Sequence, residues 1–460
     1  MVLRSLGRRN VGTTLLAQEC LVPSMFSRWR SETVYCPSSA DNLEGFVTTL
    51  LRIARTGRYF TIFPLGDNSL LPVSEHREQL TPYLKLALPS HESVLKALDK
   101  SKTLRIAEEA GIPTPKTLYP RNITEVIDVS TRIRYPAVIK PKQSYIWNRN
   151  GKANFSRPFF VNSASELIST YEKVDKNFPE PMIQEYVPGH NVSVALLFDH
   201  GEPKAGCAIK VKRTMPVTGG NSVLRESVSL DPTLLKFSSN LLRNLQWHGV
   251  AEVEFKIDSR DSTPKLMEIN GRFWGSMNVA IESGVDFPYL LYLLAKGEKI
   301  RPVFKYKVGV KLRWLNGDIE NLQSTLKGEP KIVDSESFSK LKTVLRFLQF
   351  YSRDMHYDGF SLRDPLPFFL DESLFAVRTI KGIVGGEMFS IWHFAKSRRD
   401  LALQKIGFNK RAHYSSKRDT KSMWYTQENI RFAYDNCLHY LLTSTKPKAN
   451  IADYHEKKCR

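Results

Sequence analysis

Two segments joined by a short turn decide the fold of this 460-residue chain: VAEVEFKID at residues 250–258 and KLMEINGRFWGS at residues 265–276. Polar and apolar side chains alternate in both, as in strands whose two faces differ. The stretch from Ser259 to Pro264 predicts a turn that lets the strands pair as a hairpin. Alternation then predicts two sets of residues that share a face: Glu252, Glu254, Lys256 and Asp258 on the first strand, and Leu266, Glu268, Asn270 and Arg272 on the second.

The polar side of this hairpin predicts a cation site. Glu254, Glu268 and Asn270 can converge there, and two carboxylates with one amide oxygen suit Mg²⁺, while Mn²⁺ accepts the same donors. The guanidinium of Arg272 follows directly and can stabilise negative charge on a transferring phosphoryl group. The competing interpretation is a solvated acidic strand face, which produces many patterns of this kind.

These residues resemble the metal-binding hairpin of the ATP-grasp enzymes, the superfamily that includes biotin carboxylase, carbamoyl phosphate synthetase and D-alanine–D-alanine ligase. The resemblance implies that Glu254, Glu268 and Asn270 hold the metal and that Arg272 is the catalytic residue. It also implies an α/β (α+β) ATP-grasp fold, ATP and Mg²⁺ as cofactors, and a homodimer as a common assembly.

Further motifs follow in the order that the superfamily uses. Lys100 opens a helix-like segment, YPAVIKP at residues 135–141 carries Lys140 at the end of a strand, and MIQEYVPG at residues 182–189 has the spacing of a hinge. The resemblance implies that both lysines contact nucleotide phosphates, for which a compact ammonium charge is suited. It also implies an adenine seat, formed mainly by backbone, at Gln184, Glu185, Tyr186 and Val187.

Two positions depart from the common pattern of the superfamily. Many members have a glycine-rich lid loop where this chain has the stretch from Gln143 to Arg157, which contains one glycine, Gly151. Side chains would then cover the phosphates, or the loop would become ordered only with substrate. Asn191 stands nearest the position of a ribose-binding glutamate, and its amide can hydrogen-bond a hydroxyl.

The segment KVKRTMPVTGGNS at residues 210–222 is similar to a poorly characterised ATP-grasp group, often described as carboxylate–amine ligases or associated with surface-polymer synthesis. This resemblance implies that the cations Lys212 and Arg213 lie near the phosphates or an anionic substrate. A solvated basic strand is the alternative for these two residues. Asp67, at the end of a predicted strand, is a further substrate-side candidate, with a helix cap as its competing role.

Three regions are expected along the chain. Residues 1–95 form a small α/β domain without its first strand, because the sequence opens on a helix-like segment at residues 2–11; either the chain begins late or the domain tolerates a missing strand. Residues 96–305 form the ATP-grasp domain, with a lid near residues 116–185. Residues 306–460 form a mostly helical, basic extension.

The net charge of +20 is high, and residues 396–460 contribute +9 of it, with 15 Lys and Arg against 6 Asp and Glu. No nucleic-acid motif accompanies this charge, which predicts only a general attraction to anions. The segment from Ile380 to Phe394 could lie on an anionic membrane surface or pack on the protein. Five scattered cysteines favour a cytoplasmic protein with reduced thiols, and no apolar run reaches the ~18–20 residues of a membrane span.

These features favour an ATP-dependent ligase that joins a small-molecule carboxylate to an amine. The carboxylate would attack the γ-phosphoryl group of ATP, and the amine would then displace phosphate from the acyl phosphate. Two alternatives stay open. One is phosphorylation without ligation, and the other is a membrane-associated protein that binds or senses ATP without turning it over.

Overall fold

The structure, a computed structural model, is organised around three larger β-sheets and one separate two-stranded hairpin. It describes residues 1–384 except Cys20, Arg149, 217–218, 329–339, Tyr351 and Arg353, and it also describes residues 440–444. Helices and sheets are interspersed through this part of the chain, which confirms the predicted α/β (α+β) class.

An N-terminal unit is built on a four-stranded sheet. Its elements are α1 (Val2–Gly7), β1 (Thr13–Ala17), a 3₁₀ turn (Pro23–Phe26), β2 (Glu32–Tyr35), α2 (Leu43–Ala54), β3 (Tyr59–Pro64), α3 (Asp67–Glu75), α4 (Arg77–Leu80) and α5 (His91–Leu98). β1 pairs in parallel with β2. A strand from far along the chain, β17 (Tyr440–Ser444), lies antiparallel between β1 and β3. The described chain therefore opens on a helix, as predicted, and a distant strand occupies the centre of this sheet.

A second unit carries the small four-stranded sheet, with strand order β4-β9-β5-β8. Its elements, and the helix that leads to it, are α6 (Lys100–Glu109), β4 (Thr117–Leu118), α7 (Ile123–Arg132), β5 (Ala137–Lys140), β6 (Tyr145–Trp147), β7 (Ala153–Phe155), β8 (Phe159–Val161), α8 (Ala164–Asp175) and β9 (Met182–Glu185). Val126 of α7 and Leu167 of α8 are buried against Ile139 and Ile183 of the sheet. One face of the sheet is thereby covered, and β5 delivers Lys140 at its end.

The stretch expected as a lid loop forms the separate hairpin of β6 and β7. Its strands reach the N-terminal unit, where Trp147 Nε1 donates to the carbonyl of Ser39 (2.9 Å) and the amide of Ala153 donates to the carbonyl of Ala40 (2.6 Å). The β6–β7 hairpin, which follows β5 in the chain, thus links the second unit to the N-terminal unit.

The third unit is a seven-stranded sheet with strand order β14-β13-β10-β11-β12-β15-β16. Its elements are β10 (Gly189–Asp199), β11 (Glu202–Met215), β12 (Asn221–Val228), α9 (Pro232–Asn244), β13 (Gly249–Asp258), β14 (Pro264–Asn270), α10 (Met277–Glu282), α11 (Phe287–Ala295), β15 (Lys311–Arg313), α12 (Leu315–Lys327), α13 (Lys340–Phe347), β16 (Met355–Tyr357) and α14 (Leu366–Val384). Because β15 and β16 belong to this sheet, it continues beyond residue 305, where the sequence analysis ends the domain.

Each face of the large sheet has its own core. Phe255 and Trp247 are fully buried together with Leu241 of α9 on one face. On the other face, Phe273 and Trp274 pack with the apolar residues of α10 and α11. The polar residues of the hairpin lie on this second side, at the edge of the core. Within the described residues, no helix is both long enough and apolar enough to cross a bilayer, and the segment Ile380–Phe394 lies outside them beyond Val384.

Candidate active site

β13 and β14 pair as the antiparallel hairpin that the sequence predicts. Glu254 lies directly opposite Glu268, and Glu252 lies opposite Asn270. Residues directly opposite each other in an antiparallel pair share a face. The three predicted metal ligands are therefore brought together, and Glu252 adds a third carboxylate to the group.

A bulge next to these pairs corrects one part of the predicted pattern. The register shifts after Glu254, so that Phe255 pairs with Leu266 and Met267 is left as the extra residue. Leu266 is fully buried with Phe255 in the core on the opposite face. The prediction that Leu266 shares a face with Glu268 is wrong, because one extra residue reverses the alternation beyond it.

The side-chain amide of Asn270 is held by two carboxylates. Its Nδ2 donates to Glu254 Oε1 (2.7 Å) and to Glu252 Oε2 (3.1 Å). Ser276 Oγ in turn donates to Glu252 Oε1 (3.1 Å). Since both N–H groups of the amide are used in this way, Oδ1 is the atom of Asn270 that is left for a metal.

The electrostatics of the carboxylates fit a bound cation. Burial, together with the neighbouring Glu268 and Glu252, raises the pKa of Glu254 well above its usual range. Burial also raises the pKa of Glu252. Carboxylates placed this closely resist ionising together unless positive charge is supplied. The oxygen donors of Glu254, Glu268 and Asn270 therefore fit Mg²⁺ both in kind and in charge.

Two lysines predicted to contact phosphates lie at the same group. Lys100, the first residue of α6, has its Nζ 3.3 Å from Glu268 Oε2 and donates to Ser144 Oγ (3.1 Å). Lys140 is buried, and burial lowers its pKa to about 8, although Glu268 opposes the shift. Burial alone would raise the pKa of Glu268, but Lys100 and Lys140 outweigh it and the pKa is lowered. Positive charge therefore faces the carboxylates from α6 and from the small sheet.

The predicted adenine seat begins where β9 ends. Glu185, the last residue of β9, pairs with Ala137 of β5. The backbone of Tyr186 and Val187 therefore continues beyond the sheet. The side chain of Gln184 is fully buried and donates from Nε2 to Thr117 Oγ1 (2.9 Å). It thus supports the sheet, and a nucleotide would meet backbone here rather than this amide.

The side chain of Glu185 is also engaged within the protein. Its Oε1 accepts from Lys265 Nζ (2.6 Å) and from the backbone amide of Lys116 (2.9 Å). Burial opposes ionisation, but these donors and Arg260 keep the pKa of Glu185 below its usual range. Glu185 therefore fastens the hinge to the β13–β14 hairpin.

Lys256 is a further candidate, which the strand alternation places on the same face as Glu252 and Glu254. It lies opposite Asn191 of β10, and its Nζ is 4.8 Å from the centre of the Tyr186 ring. Burial lowers the pKa of Lys256 to about 8, and its charge also lowers the pKa of Lys140. Lys256 therefore lies beside Tyr186 of the predicted hinge, and its charge acts on Lys140.

Arg272 connects this site with the N-terminal unit. Its Nε donates to Asp67 Oδ1 (3.0 Å), and its Nη1 donates to the carbonyl of Phe273 (3.0 Å). Arg272 also lowers the pKa of both Glu252 and Glu254, which places its charge beside the carboxylates. Asp67, the predicted substrate-side residue, is the first residue of α3. Its hydrogen bond with Arg272 brings it to the edge of the site.

The two cations of β11 are placed elsewhere. Lys212 Nζ lies 3.2 Å from Glu226 Oε2 on the neighbouring β12. Arg213 Nη2 donates to Asp318 Oδ2 of α12 (2.6 Å), and that carboxylate also pairs with the fully buried Arg313 (2.6 Å). Within the described part of the chain, the ion pairs of Lys212 and Arg213 are with these residues and not with the carboxylates of the hairpin.

A small sheet and a helix that present lysines to the carboxylates of a larger sheet are the construction of the ATP-grasp fold. In its fold, the chain is similar to the ATP-grasp enzymes. Residues 177–317 match the family model described as "ATP-grasp in the biosynthetic pathway with Ter operon". That range holds the hinge and all three predicted metal ligands.

Known proteins similar to this chain include two that are matched by sequence. The D-aspartate ligase of Enterococcus faecium is 22% identical over 280 residues, which are 56% of this chain and 64% of that protein. The carbamoyl phosphate synthase large chain of Pyrococcus furiosus is 25% identical over 207 residues, which are 44% of this chain and 18% of that protein. The chain therefore spans less than two thirds of the length of either relative.

A solved structure shows the same fold. The biotin carboxylase domain of Hydrogenobacter thermophilus 2-oxoglutarate carboxylase, in complex with MgADP, ADP and bicarbonate, superposes with a TM-score of 0.54 at 15% identity. The superposition covers 67% of this chain and 70% of that one. At this identity the likeness establishes the ATP-grasp fold.

Proposed function

We propose that this protein is an ATP-dependent ligase that joins a small-molecule carboxylate to an amine through an acyl phosphate. The observation that carries the proposal is the group of Glu254, Glu268 and Asn270, which meets Lys100 and Lys140 on one side. This arrangement binds and orients the phosphates of a nucleotide. The D-aspartate ligase among the similar proteins supports a carbon–nitrogen ligase.

The residues of this chain would act in sequence on bound ATP. A Mg²⁺ ion held by Glu254, Glu268 and Asn270 would supply positive charge to the phosphate oxygens, and Mn²⁺ would fit the same donors. Lys100 and Lys140 would hold the γ-phosphoryl group in line with the attacking carboxylate oxygen. That oxygen forms the new P–O bond as the bond to ADP breaks, and the amine then forms the C–N bond as phosphate leaves.

Arg272 would stabilise the anionic centre during both transfers. Its planar guanidinium can donate two parallel hydrogen bonds to a carboxylate or phosphate. Asp67 accepts a hydrogen bond from Nε of this arginine, and this bond would fix the orientation of the guanidinium. The β6–β7 hairpin closes one side through Trp147 and Ser39, and such closure would protect the acyl phosphate from water.

The experiment that tests the proposal measures ADP release from Mg²⁺-ATP with pools of carboxylates, in the presence of hydroxylamine. The pools begin with L- and D-amino acids, offered alone and with a second amine. Carboxylate-dependent ADP together with a hydroxamate is the expected result. ADP with a stable phosphorylated product and no hydroxamate would instead establish phosphorylation without ligation. ATP binding without turnover in every pool would contradict an enzymatic role.

Lys256→Met is expected to weaken ATP binding by roughly tenfold, because an ammonium beside the adenine seat and the phosphate lysines is lost. The same variant is expected to unfold at a higher temperature without ligand, since burying this cation costs free energy in the folded protein. Nucleotide binding is measured by calorimetry, and unfolding is followed by circular dichroism, both at pH 7.

Lys96→Met on α5 is the matched control. The ammonium of Lys96 is partly exposed and pairs with Glu92 of the same helix. This variant should leave ATP affinity unchanged. If Lys256→Met binds ATP as tightly as the unaltered protein, Lys256 has no part in the nucleotide site.

A further inference from the structure

Away from the β13–β14 carboxylates, three potential metal ligands meet at two neighbouring turns. Asp199 ends β10, His200 begins the turn to β11, and His248 directly precedes β13. His200 Nδ1 lies 2.8 Å from Asp199 Oδ1, and His248 Nδ1 lies 3.7 Å from the same oxygen. One ligand atom from each residue lies within 4.8 Å of the others.

Two hydrogen bonds donated by backbone amides hold these turns together. The amide of Gly201 donates to the carbonyl of Trp247 (2.9 Å), and the Trp247 side chain is fully buried. The amide of His200 donates to His248 Nδ1 (3.3 Å). His200 itself has φ of 47°, a left-handed conformation that few residues other than glycine and asparagine adopt. The three ligands are thus positioned by the core beneath them.

A cavity of about 880 Å³ opens beside the two histidines. Its wall includes the carboxylates of Glu75, Glu78 and Glu202. Of its two arginines, Arg77 donates both of its Nη groups to backbone carbonyls, and Arg243 lies 3.6 Å from Glu202. The lining therefore has three glutamates against two arginines, and this surplus of one negative charge favours a positively charged occupant.

We propose that Asp199, His200 and His248 bind a divalent transition-metal ion, with Zn²⁺ as the reference ion. Two imidazoles and one carboxylate are the donors that Zn²⁺ prefers, whereas Mg²⁺ and Ca²⁺ prefer oxygen donors alone. Tetrahedral ligands about 2.0–2.1 Å from Zn²⁺ lie about 3.3 Å from one another. The separation of 2.8 Å between His200 and Asp199 is near that value, and ion binding through His248 Nδ1 would replace the hydrogen bond that this atom accepts from the His200 amide.

The site is suited to an ion with an open coordination position. Three protein ligands leave the fourth position of a tetrahedral ion for water or a small molecule, and both histidines line the cavity. This inference does not depend on the ligase proposal, because it uses none of the same residues.

The test uses the full chain after removal of metals with a chelator. Co²⁺ is added as a spectroscopic substitute, and the Zn²⁺ affinity is measured by competition with a chromophoric chelator. His200→Asn and Asp199→Asn are the test variants, because both side chains lie at the surface and asparagine tolerates the backbone of His200. His356→Gln is the matched control, since that histidine pairs with Glu282 outside the group.

The expected result is a tetrahedral Co²⁺ absorption band that the control retains and that both test variants lose. The Zn²⁺ affinity of both variants should fall by at least about tenfold, because even changes in groups that only support a ligand cost 10–100-fold. The chain has other histidines and cysteines, so the difference between variant and control is the decisive quantity. Equal spectra and equal affinities in all four proteins would show that His200 and Asp199 form a hydrogen-bonded pair without metal.

Discussion

Glu268→Gln is expected to lower the turnover number for ADP formation on the order of 10²–10³-fold. The substitution keeps the size of the side chain but removes one of the two charged metal ligands. It also removes the carboxylate that faces Lys100 and Lys140. The Mg²⁺ concentration needed for half-maximal rate should rise as well, because one anionic ligand has become neutral.

The same variant should fold normally. Loss of Glu268 relieves repulsion on Glu254, but it also leaves the two lysines without that carboxylate. These effects act in opposite directions on the free energy of unfolding, so the melting temperature without ligand should change little. Steady-state kinetics over a Mg²⁺ series and thermal unfolding of the same preparation measure the two quantities.

Glu92→Gln is the control for Glu268→Gln, because it removes the carboxylate of an exposed glutamate–lysine ion pair on α5. It should retain the full rate and the ordinary Mg²⁺ dependence. If Glu268→Gln kept the full Mg²⁺-ATP turnover in a preparation free of other ATPases, the site proposed for catalysis would be wrong.

Local sequence pattern predicted the hairpin well because side-chain direction in a strand depends on the nearest residues alone. The strand of residues 249–258 agrees closely with the expected segment, and Glu254 meets Glu268 as alternation requires. The second strand, residues 264–270, ends before Arg272, so the prediction that Arg272 lies on this strand is wrong. The bulge at Met267 left a signal that strict alternation overlooks. Leu266 and Ile269 are both apolar and three residues apart, and both belong to the same core, which one regular strand cannot achieve.

Contacts between distant parts of the chain could not be predicted in this way. The resemblance implies that Arg213 lies near the phosphates or an anionic substrate, and the structure pairs its guanidinium with Asp318 of α12, more than a hundred residues later. The strand Tyr440–Ser444 enters the N-terminal sheet from beyond the whole large sheet. Periodicity within a segment contains no information about either partner, because tertiary packing selects it.

Arg272→Lys is expected to lower the turnover number on the order of 10²-fold, because lysine keeps the charge but loses the planar fork of donors. Asp67→Ala should lower it by roughly tenfold through a misdirected guanidinium. Asp67→Asn should stay close to the unaltered protein, since an amide oxygen can still accept from Arg272 Nε. The KM for ATP should change little in all three, because the proposed contact strengthens in the transition state.

The double variant Arg272→Lys, Asp67→Ala separates a positioning role from a direct one. If Asp67 acts through Arg272, the second change should cost no more than about twofold once the arginine is gone, since residues that act as a unit are not additive. Fully multiplicative losses, or a rise in the KM of the carboxylate or amine with kcat unchanged, would mean that Asp67 contacts substrate itself. The hydrogen bond of 3.0 Å between Arg272 Nε and Asp67 Oδ1 favours the first outcome. In the proposed mechanism the N-terminal unit, which contributes no predicted metal ligand, would thus act through α3, whose Asp67 would orient the guanidinium of Arg272.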